Sequence, residues 1–306
     1  MNKTSIEWCD YSSNPIYATV DGKRGWFCEK VSPGCAHCYS STMNEGRFGN
    51  GLEFLASNRE RVEFHLNEDE LREWQKLKYA SKRVFAFDMT DLFGEWVSDE
   101  WLDDCFAAMS LSPATFLILT KRPERMRAYF ADCEARVDAI GEAAYAWTGK
   151  LPSGDPANDE EFCFIPDLPF PNVWLGVSVE NQHWADERIP ILLDTPAAVR
   201  FISAEPLLGA LDLNRWIRPI WTARGSVRVD FLHWVIVGGE SGPHRRSFNP
   251  DWARSVRDQC AQAGVSYFMK QLGGARPGTA LDQLPEDLRV REWPSVSSVV
   301  QERLPL

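Results

Sequence analysis

The sequence predicts an α/β fold, specifically a partial parallel, TIM-like β/α barrel of about six to seven units. Three observations lead there. Short apolar runs alternate with helix-like segments along most of the chain. The runs are continuously apolar rather than alternating, as parallel strands covered on both faces should be. Each run also ends in a polar cluster. A barrel turns all its strand exits toward one mouth, whereas a doubly wound sheet concentrates function at a single switch point.

In chain order, "RVFAFDMTDLF" (83–93) reads as a strand with its exit loop. "SDEWLDDCFAAMS" (98–110) follows as a helix with a Ser N-cap, an acidic first turn and helical apolar spacing. "TFLILTKRPERM" (115–126) is a strand running into a helix, "NVWLGVSVENQ" (172–182) a strand, and "HWADERIPILLDT" (183–195) a helix. "AVRFISAEPLL" (198–208) and "LHWVIVGGESG" (232–242) are two further strands. "DWARSVRDQCAQAGV" (251–265) is an amphipathic helix stopped by Gly264, and "VSYFMKQLGG" (265–274) a last strand. An N-terminal unit is expected around "SIEW" or "GWF". Residues 1–274 are thus read as a single barrel, with a Gly-, Pro- and acid-rich insertion or lid at about 131–171. Residues 275–306 form a Pro-containing tail that either straps across the barrel or frays.

Composition narrows the functional classes. The 306 residues are 44% hydrophobic, enough for a large core, and no apolar run approaches a membrane span. The first residues lack the apolar centre of a signal peptide, so a cytoplasmic protein without membrane association is expected. A formal net charge of −11 disfavours nonspecific binding to nucleic acid. A local basic groove from Lys121, Arg122, Arg125, Arg127 and His244–Arg246 stays open, as does a solvated surface for the same residues.

Eight cysteines are too sparse for a disulfide scaffold. Five are scattered, and Cys105 and Cys260 sit in apolar helical patterns as buried thiols. Cys28, Cys35 and Cys38 differ, since "CEKVSPGCAHC" packs three thiols into eleven residues. A structural zinc ion wants four ligands, usually two Cys-x2-Cys pairs, and only Cys9 or His37 could complete such a set. A redox Cys35–Cys38 pair would leave Cys28 without a role. A [4Fe–4S] cluster held by three cysteines uses all three and leaves one iron open to a small molecule. Pro33 and Gly34 suit a loop that wraps a cofactor closely.

This loop, with Tyr39 after its last cysteine and a β/α barrel around it, resembles the radical S-adenosylmethionine (SAM) superfamily. The first gap has six residues here, where the superfamily usually has three. "IEWCDYSSNP", "CEKVSPGCAHCY", "MTDLF", "LTKRPERM", "NVWLGVSVENQ", "DERIPILL", "AVRFISAEPLLG", "WVIVGGESG" and "FMKQLGG" together resemble, in order, the phage Gp37/Gp68 family, DUF5131. The layout is similar to that of spore photoproduct lyase. "TDLF" resembles that enzyme's strand-exit Thr-Asp-Pro-Tyr, "LTKR" its Leu-Thr-Lys, and "GVSVEN" its Ser-containing strand end.

The resemblance implies a radical SAM enzyme. Cys28, Cys35 and Cys38 would hold the cluster, and SAM would chelate the open iron, be cleaved by one electron and yield a radical that takes hydrogen from substrate. Lys121 and Ser178 would contact the SAM carboxylate. Asp88, Thr90 and Asp91 would receive its amino group. Glu180 or Asn181 would bind the ribose hydroxyls. Gly238 and Gly239, with Glu240 beside them, would allow close backbone approach to adenine or substrate. Glu205 and Lys270 are the catalytic candidates on the substrate side. The implied substrate is a small molecule or nucleotide, with a nucleobase in phage-type DNA modification or repair as one form, and the implied electron donor is of flavodoxin or ferredoxin type. Two other classes stay in view. One is a non-catalytic Fe–S or zinc-binding interaction or regulatory protein. The other is a metal-independent barrel hydrolase using Asp91, Glu180 and Glu205.

Overall fold

The structure is a computed structural model, and it describes residues 1–149, 151–153, 162–164, 167–217, 220–221, 227–228, 231–276 and 278–294. The chain forms two compact units. The first comprises Met1–Thr4, Cys9–Trp174 and Thr195–Ala197. Along it run β1 (Asn2–Lys3), β2 (Tyr11–Ser13), β3 (Ile16–Val20), β4 (Lys23–Gly25), α1 (Tyr39–Glu45), β5 (Glu63–Leu66), α2 (Glu68–Glu73) and β6 (Arg83–Ala86). After these come α3 (Asp99–Ser110), β7 (Thr115–Thr120), α4 (Pro123–Tyr129), α5 (Cys133–Thr148), β8 (Leu151–Ser153) and β9 (Phe162–Phe164). The second unit carries the end of β10 (Val173–Ser178), then α6 (Gln182–Leu193), β11 (Val199–Ala204), β12 (Ile220–Trp221), β13 (Val227–Arg228), β14 (Trp234–Gly238), α7 (Pro250–Ala263) and β15 (Ser266–Gln271).

Eight strands share one sheet order, β1-β2-β6-β7-β10-β11-β14-β15, and the fold is mixed α/β with a mostly parallel sheet. The elements expected from 83 onward are present within a few residues of their expected ends. Burial explains why they were legible: every residue of β10, β11 and β14 is buried, as the unbroken apolar runs require. The helix limits follow capping chemistry. Ser98 accepts from the Trp101 amide at 3.3 Å at the start of α3. Gly264 ends α7 in the left-handed conformation, at a φ of 70°.

The N-terminal strand is a correction. Neither "SIEW" nor "GWF" forms the first parallel strand. That strand is Tyr11–Ser13, in register with Val84–Ala86. Its buried member is Ser13, whose hydroxyl donates to Glu70 at 2.6 Å and accepts from the Trp74 indole at 2.7 Å. A strand buried through hydrogen bonds carries no apolar signal. "GWF" instead begins at the end of β4, in a separate antiparallel sheet ordered β4-β3-β5.

Within the stretch read as an insertion, α5 packs on α3 through Arg136 to Asp103 (3.2 Å) and the Trp147 indole to Asp104 (3.0 Å). Residues 150, 154–161, 165 and 166 of that stretch, and the tail from 295, lie outside the described residues. The described tail runs along β15. The Met269 amide donates to the Val290 carbonyl at 2.8 Å and the Glu292 amide to Tyr267 at 3.0 Å, with an antiparallel bridge from Arg291 to Phe268. This covers the exposed edge of the last strand in the order. Among the described residues, no helix is long and apolar enough to cross a membrane.

The tail also meets α7 at Asp287, which lies 2.8 Å from Arg254 and 2.9 Å from Arg257. Arg254 first, and then Arg257 against a burial effect of opposite sign, holds this carboxyl down at about 2. A depressed carboxylate stabilises the fold above its unfolded value near ~4 and loses that contribution as pH falls through about 2. The wild-type melting temperature should therefore drop more steeply than that of Asp287→Asn between about pH 4 and pH 2. Parallel acid limbs in differential scanning calorimetry would refute this.

Candidate functional site

The cysteine loop belongs to the first unit and leaves β4 at Gly25. A buried asparagine organises it. The Asn44 carbonyl oxygen accepts from the Trp26 amide at 2.8 Å, while its amide donates to Asn50 and to the Leu52 carbonyl, each at 2.8 Å. These bonds pin both ends of the loop on α1 and leave the thiols between them. Pro33–Cys35 makes one tight 3₁₀ turn, closed by the Cys35 amide to Ser32 at 2.9 Å. Cys38 is the N-cap residue of α1, yet its side chain makes no capping bond.

The exit of β6 fastens this loop to the parallel sheet. Phe87 adopts a φ of 66°, a costly value for a residue with a bulky side chain. The turn brings the Asp88 carbonyl to the Tyr39 hydroxyl at 3.0 Å and the Ser40 hydroxyl at 2.8 Å. The Asp88 carboxylate accepts from Asn14 at 2.6 Å and from Tyr39 at 3.0 Å. Burial raises its pKa, with the Asn14 and Tyr39 bonds acting against that. Thr90 donates to the Phe27 carbonyl at 2.6 Å, which fixes the residue just before Cys28.

Asp91 is a structural brace. Its Oδ1 accepts from the Thr120 hydroxyl at 2.7 Å and the Phe93 amide at 3.0 Å. Its Oδ2 accepts from the Lys121 amide at 3.0 Å and Arg122 Nη1 at 3.2 Å. Four donors within the chain engage this carboxylate, so Asp88 rather than Asp91 has the less crowded oxygens at this exit.

Cys28 feels the other two thiols and Arg122, and Cys35 feels Lys121. Burial first, then the charge of Asp91, pushes Cys28 up to about 12; Arg122 opposes this, and Cys38 and Cys35 add to it. Burial also raises Cys35, but the Lys121 ammonium, backbone bonds from Val31 and Ser32, and the Ser32 hydroxyl outweigh it, and the net direction is down. All three are free thiols of intermediate burial. Among the described residues, no three or more His, Cys, Asp and Glu side chains gather closely enough to hold one metal ion. In an iron–sulfur cluster each thiolate binds its own iron, so the donors need not share one coordination sphere. Three thiols are one ligand short of a closed structural zinc site and match the number that leaves one iron of a four-iron cluster without a protein ligand.

Arg122 is the residue that sequence reading misplaced. Read there as part of a basic groove or a solvated surface, it is largely enclosed by Asp91, Glu29 and the Trp96 ring, with its side chain 11% exposed. Its place directly after Lys121 at a strand exit was the available signal.

In the second unit the remaining candidates fall into three groups. Lys270 Nζ lies 2.6 Å from Glu205 Oε1, which also receives the Gln271 amide at 3.3 Å. Glu180 is fully buried against Arg188 at 3.3 Å; the same guanidinium takes the Ser178 carbonyl at 2.7 Å, and Asn181 caps α6 through the Trp184 amide. Glu240 grips Arg246 through both oxygens, at 2.6 and 3.0 Å. Gly238 faces the Glu205 side chain, and Gly239 lies against the Gly273 backbone.

Residues 3–294 match the sequence profile of a family described as protein of unknown function, DUF5131. The chain belongs to that family. No curated protein and no solved structure matches it. All the strand exits described above lie inside the matched span, so in this DUF5131 chain the cysteine loop and the exit clusters are part of the family domain.

Proposed function

We propose that this DUF5131 chain is a radical SAM enzyme built on a partial β/α barrel of that superfamily's type, acting on a small molecule or nucleotide. The observation that carries the reading is the clustering of three free, mutually interacting thiols on a loop bonded to the β6 exit at Asp88, with Lys121 of the β7 exit coupled to Cys35. When bound, the cluster and SAM would supply one-electron bond cleavage and hydrogen abstraction. The chain's own groups then have distinct tasks. Cys28, Cys35 and Cys38 ligate iron. Lys121 offers a cation to a carboxylate, and Asp88 offers an acceptor to an ammonium group. Ser178 and Asn181 supply polar contacts, while Asp91, Thr90, Glu180 and Glu240 hold the exits in place. Glu205 and Lys270 are close enough to pass a proton between them. A nucleobase substrate in phage-type DNA modification or repair fits the resemblance, and the acidic charge favours a free nucleotide over a duplex.

The deciding experiment is anaerobic reconstitution with iron and sulfide, followed by EPR of the reduced protein. A [4Fe–4S]⁺ signal that changes on adding SAM, and that is absent from the Cys28→Ala, Cys35→Ala, Cys38→Ala triple variant, is the expected result. Uptake of zinc instead, or a cluster spectrum indifferent to SAM, would refute the radical mechanism and leave a non-catalytic metal-binding protein.

A further inference from the structure

Arg122 is placed in a way that its own ion pairs do not explain. A guanidinium has five N–H donors in a fixed fork. Nη1 is used by Asp91 at 3.2 Å. Nη2 stands 3.5 Å from Glu29 Oε2, within ion-pair range, yet it is buried without a well-formed hydrogen bond, and the guanidinium also interacts with the Cys28 sulfur. Leaving a buried charged donor unmatched costs stability that an acceptor would recover. The side chain cannot easily swing away to find one. Its guanidinium lies over the Trp96 ring at 4.8 Å, and Trp96 is held edge to face by Phe27 at 5.0 Å, one residue before Cys28. Glu29, the second carboxylate that orients Arg122, is the residue just after Cys28. The arginine is therefore fixed from three sides beside that thiol, with Nη2 left to face it.

The Cys28 sulfur, already in interaction with this guanidinium, is the acceptor that gains most for Nη2 once it bears negative charge. Metal sites are tuned by groups one layer out from the ligands, and hydrogen bonds to cluster or ligand sulfur shift the reduction potential. A fixed cationic donor stabilises the reduced state more than the oxidised one, because the reduced state carries the additional electron. We infer that Arg122 is a positioning and tuning residue that donates a hydrogen bond through Nη2 to sulfur of the metal centre at Cys28 and raises its reduction potential. This rests on the cluster reading above. It assigns Arg122 a role that the sequence motifs do not, and separates it from Lys121, whose charge acts on Cys35.

The test compares wild type, Arg122→Lys and Arg122→Met after anaerobic iron–sulfide reconstitution. Lysine keeps the charge beside Asp91 but loses the fork, and methionine loses both. Iron content should be equal in all three, since Arg122 is not a ligand. In an EPR-monitored potentiometric titration, the ratio of reduced to oxidised cluster at the wild-type midpoint should fall about tenfold in Arg122→Met and by less in Arg122→Lys. Exchangeable-proton ENDOR of the reduced wild type should show a coupling that is lost in Arg122→Lys. Should Arg122→Met fail to fold, the lysine variant decides through the midpoint and the ENDOR line together. Equal midpoints with fully loaded clusters would overturn the inference while leaving the cluster reading intact. A wild type that takes up no iron and sulfide would overturn both, and iron analysis separates that case before any titration begins.

Discussion

Asp91→Ala should lower folding stability by about 3 kcal/mol or more, one of the largest losses expected from a single side chain in this protein. The substitution removes an acceptor from four donors at once: the Thr120 hydroxyl, the Phe93 and Lys121 amides, and Arg122 Nη1. It also leaves the largely enclosed guanidinium of Arg122 with Glu29, at 3.5 Å, as its remaining carboxylate. Breaking one side of a buried pair costs more than the pair itself contributes, because the surviving charge cannot return to water. Two comparisons make the cause visible in urea titrations. Asp91→Asn keeps an acceptor and the shape, and should recover part of the loss. The double variant Asp91→Ala, Arg122→Met should be less unstable than the sum of its singles, because the stranded charge is gone. A loss below about 1 kcal/mol in Asp91→Ala, the size of a single exposed pair, would mean that the brace does not bear on folding.

Gly239→Ala should be similarly damaging, and for a purely steric reason. A Cβ at 239 would overlap the Gly273 amide nitrogen and lie 2.9 Å from the Gly273 Cα and 3.0 Å from the Leu272 carbonyl carbon. These are main-chain atoms just past the end of β15, held by the Gly239 amide to Gln271 carbonyl bond at 3.0 Å and by the Gln271 side chain to the Gly239 carbonyl at 2.8 Å. They cannot move aside as a side chain would, so strands β14 and β15 must separate at their exits, at a cost of about 3 kcal/mol. Gly238→Ala is the control. The three atoms nearest its Cβ would all belong to the Glu205 side chain, at 3.3–3.4 Å, and that chain can shift by a few tenths of an ångström. Thermal melts should therefore rank Gly239→Ala well below Gly238→Ala. Equal melting temperatures would show that the close approach at 239 is not what the glycine is there for.

The two variants also probe the two different ways in which strand exits are built here. Around β6 and β7, polar side chains close the exit by bonding main chain and one another. Around β14 and β15, the main chains approach so closely that only glycine fits between them. The polar residues "MTDLF" and "LTKR" and the glycines "VGG" were all visible as exit signals, but the sequence could not say which of them face a ligand and which hold the exit itself together.

Much of the fold was determined by local chemistry and hydrophobic pattern, and those parts were legible. The buried strands β10, β11 and β14 read as apolar runs because both their faces are covered. Helices α3 and α7 read from Ser98 and Gly264 because capping is decided by residues adjacent in the chain. The three thiols were legible for the same reason, all lying within eleven residues. Only tertiary structure settled the rest. Strand β2 is held by Ser13 bonding Glu70 and Trp74, more than fifty residues away. Asp88 and Asp91 look alike in sequence, three residues apart, yet Asp91 is engaged by donors from β7 while Asp88 anchors the cysteine loop. Arg122 reads as one more surface cation and is in fact enclosed beside Cys28 by Asp91, Glu29 and Trp96. A polar side chain has no periodic signature of its own. Its role is set by which partner the fold brings within about 3 Å, and that distance is a property of the packed chain.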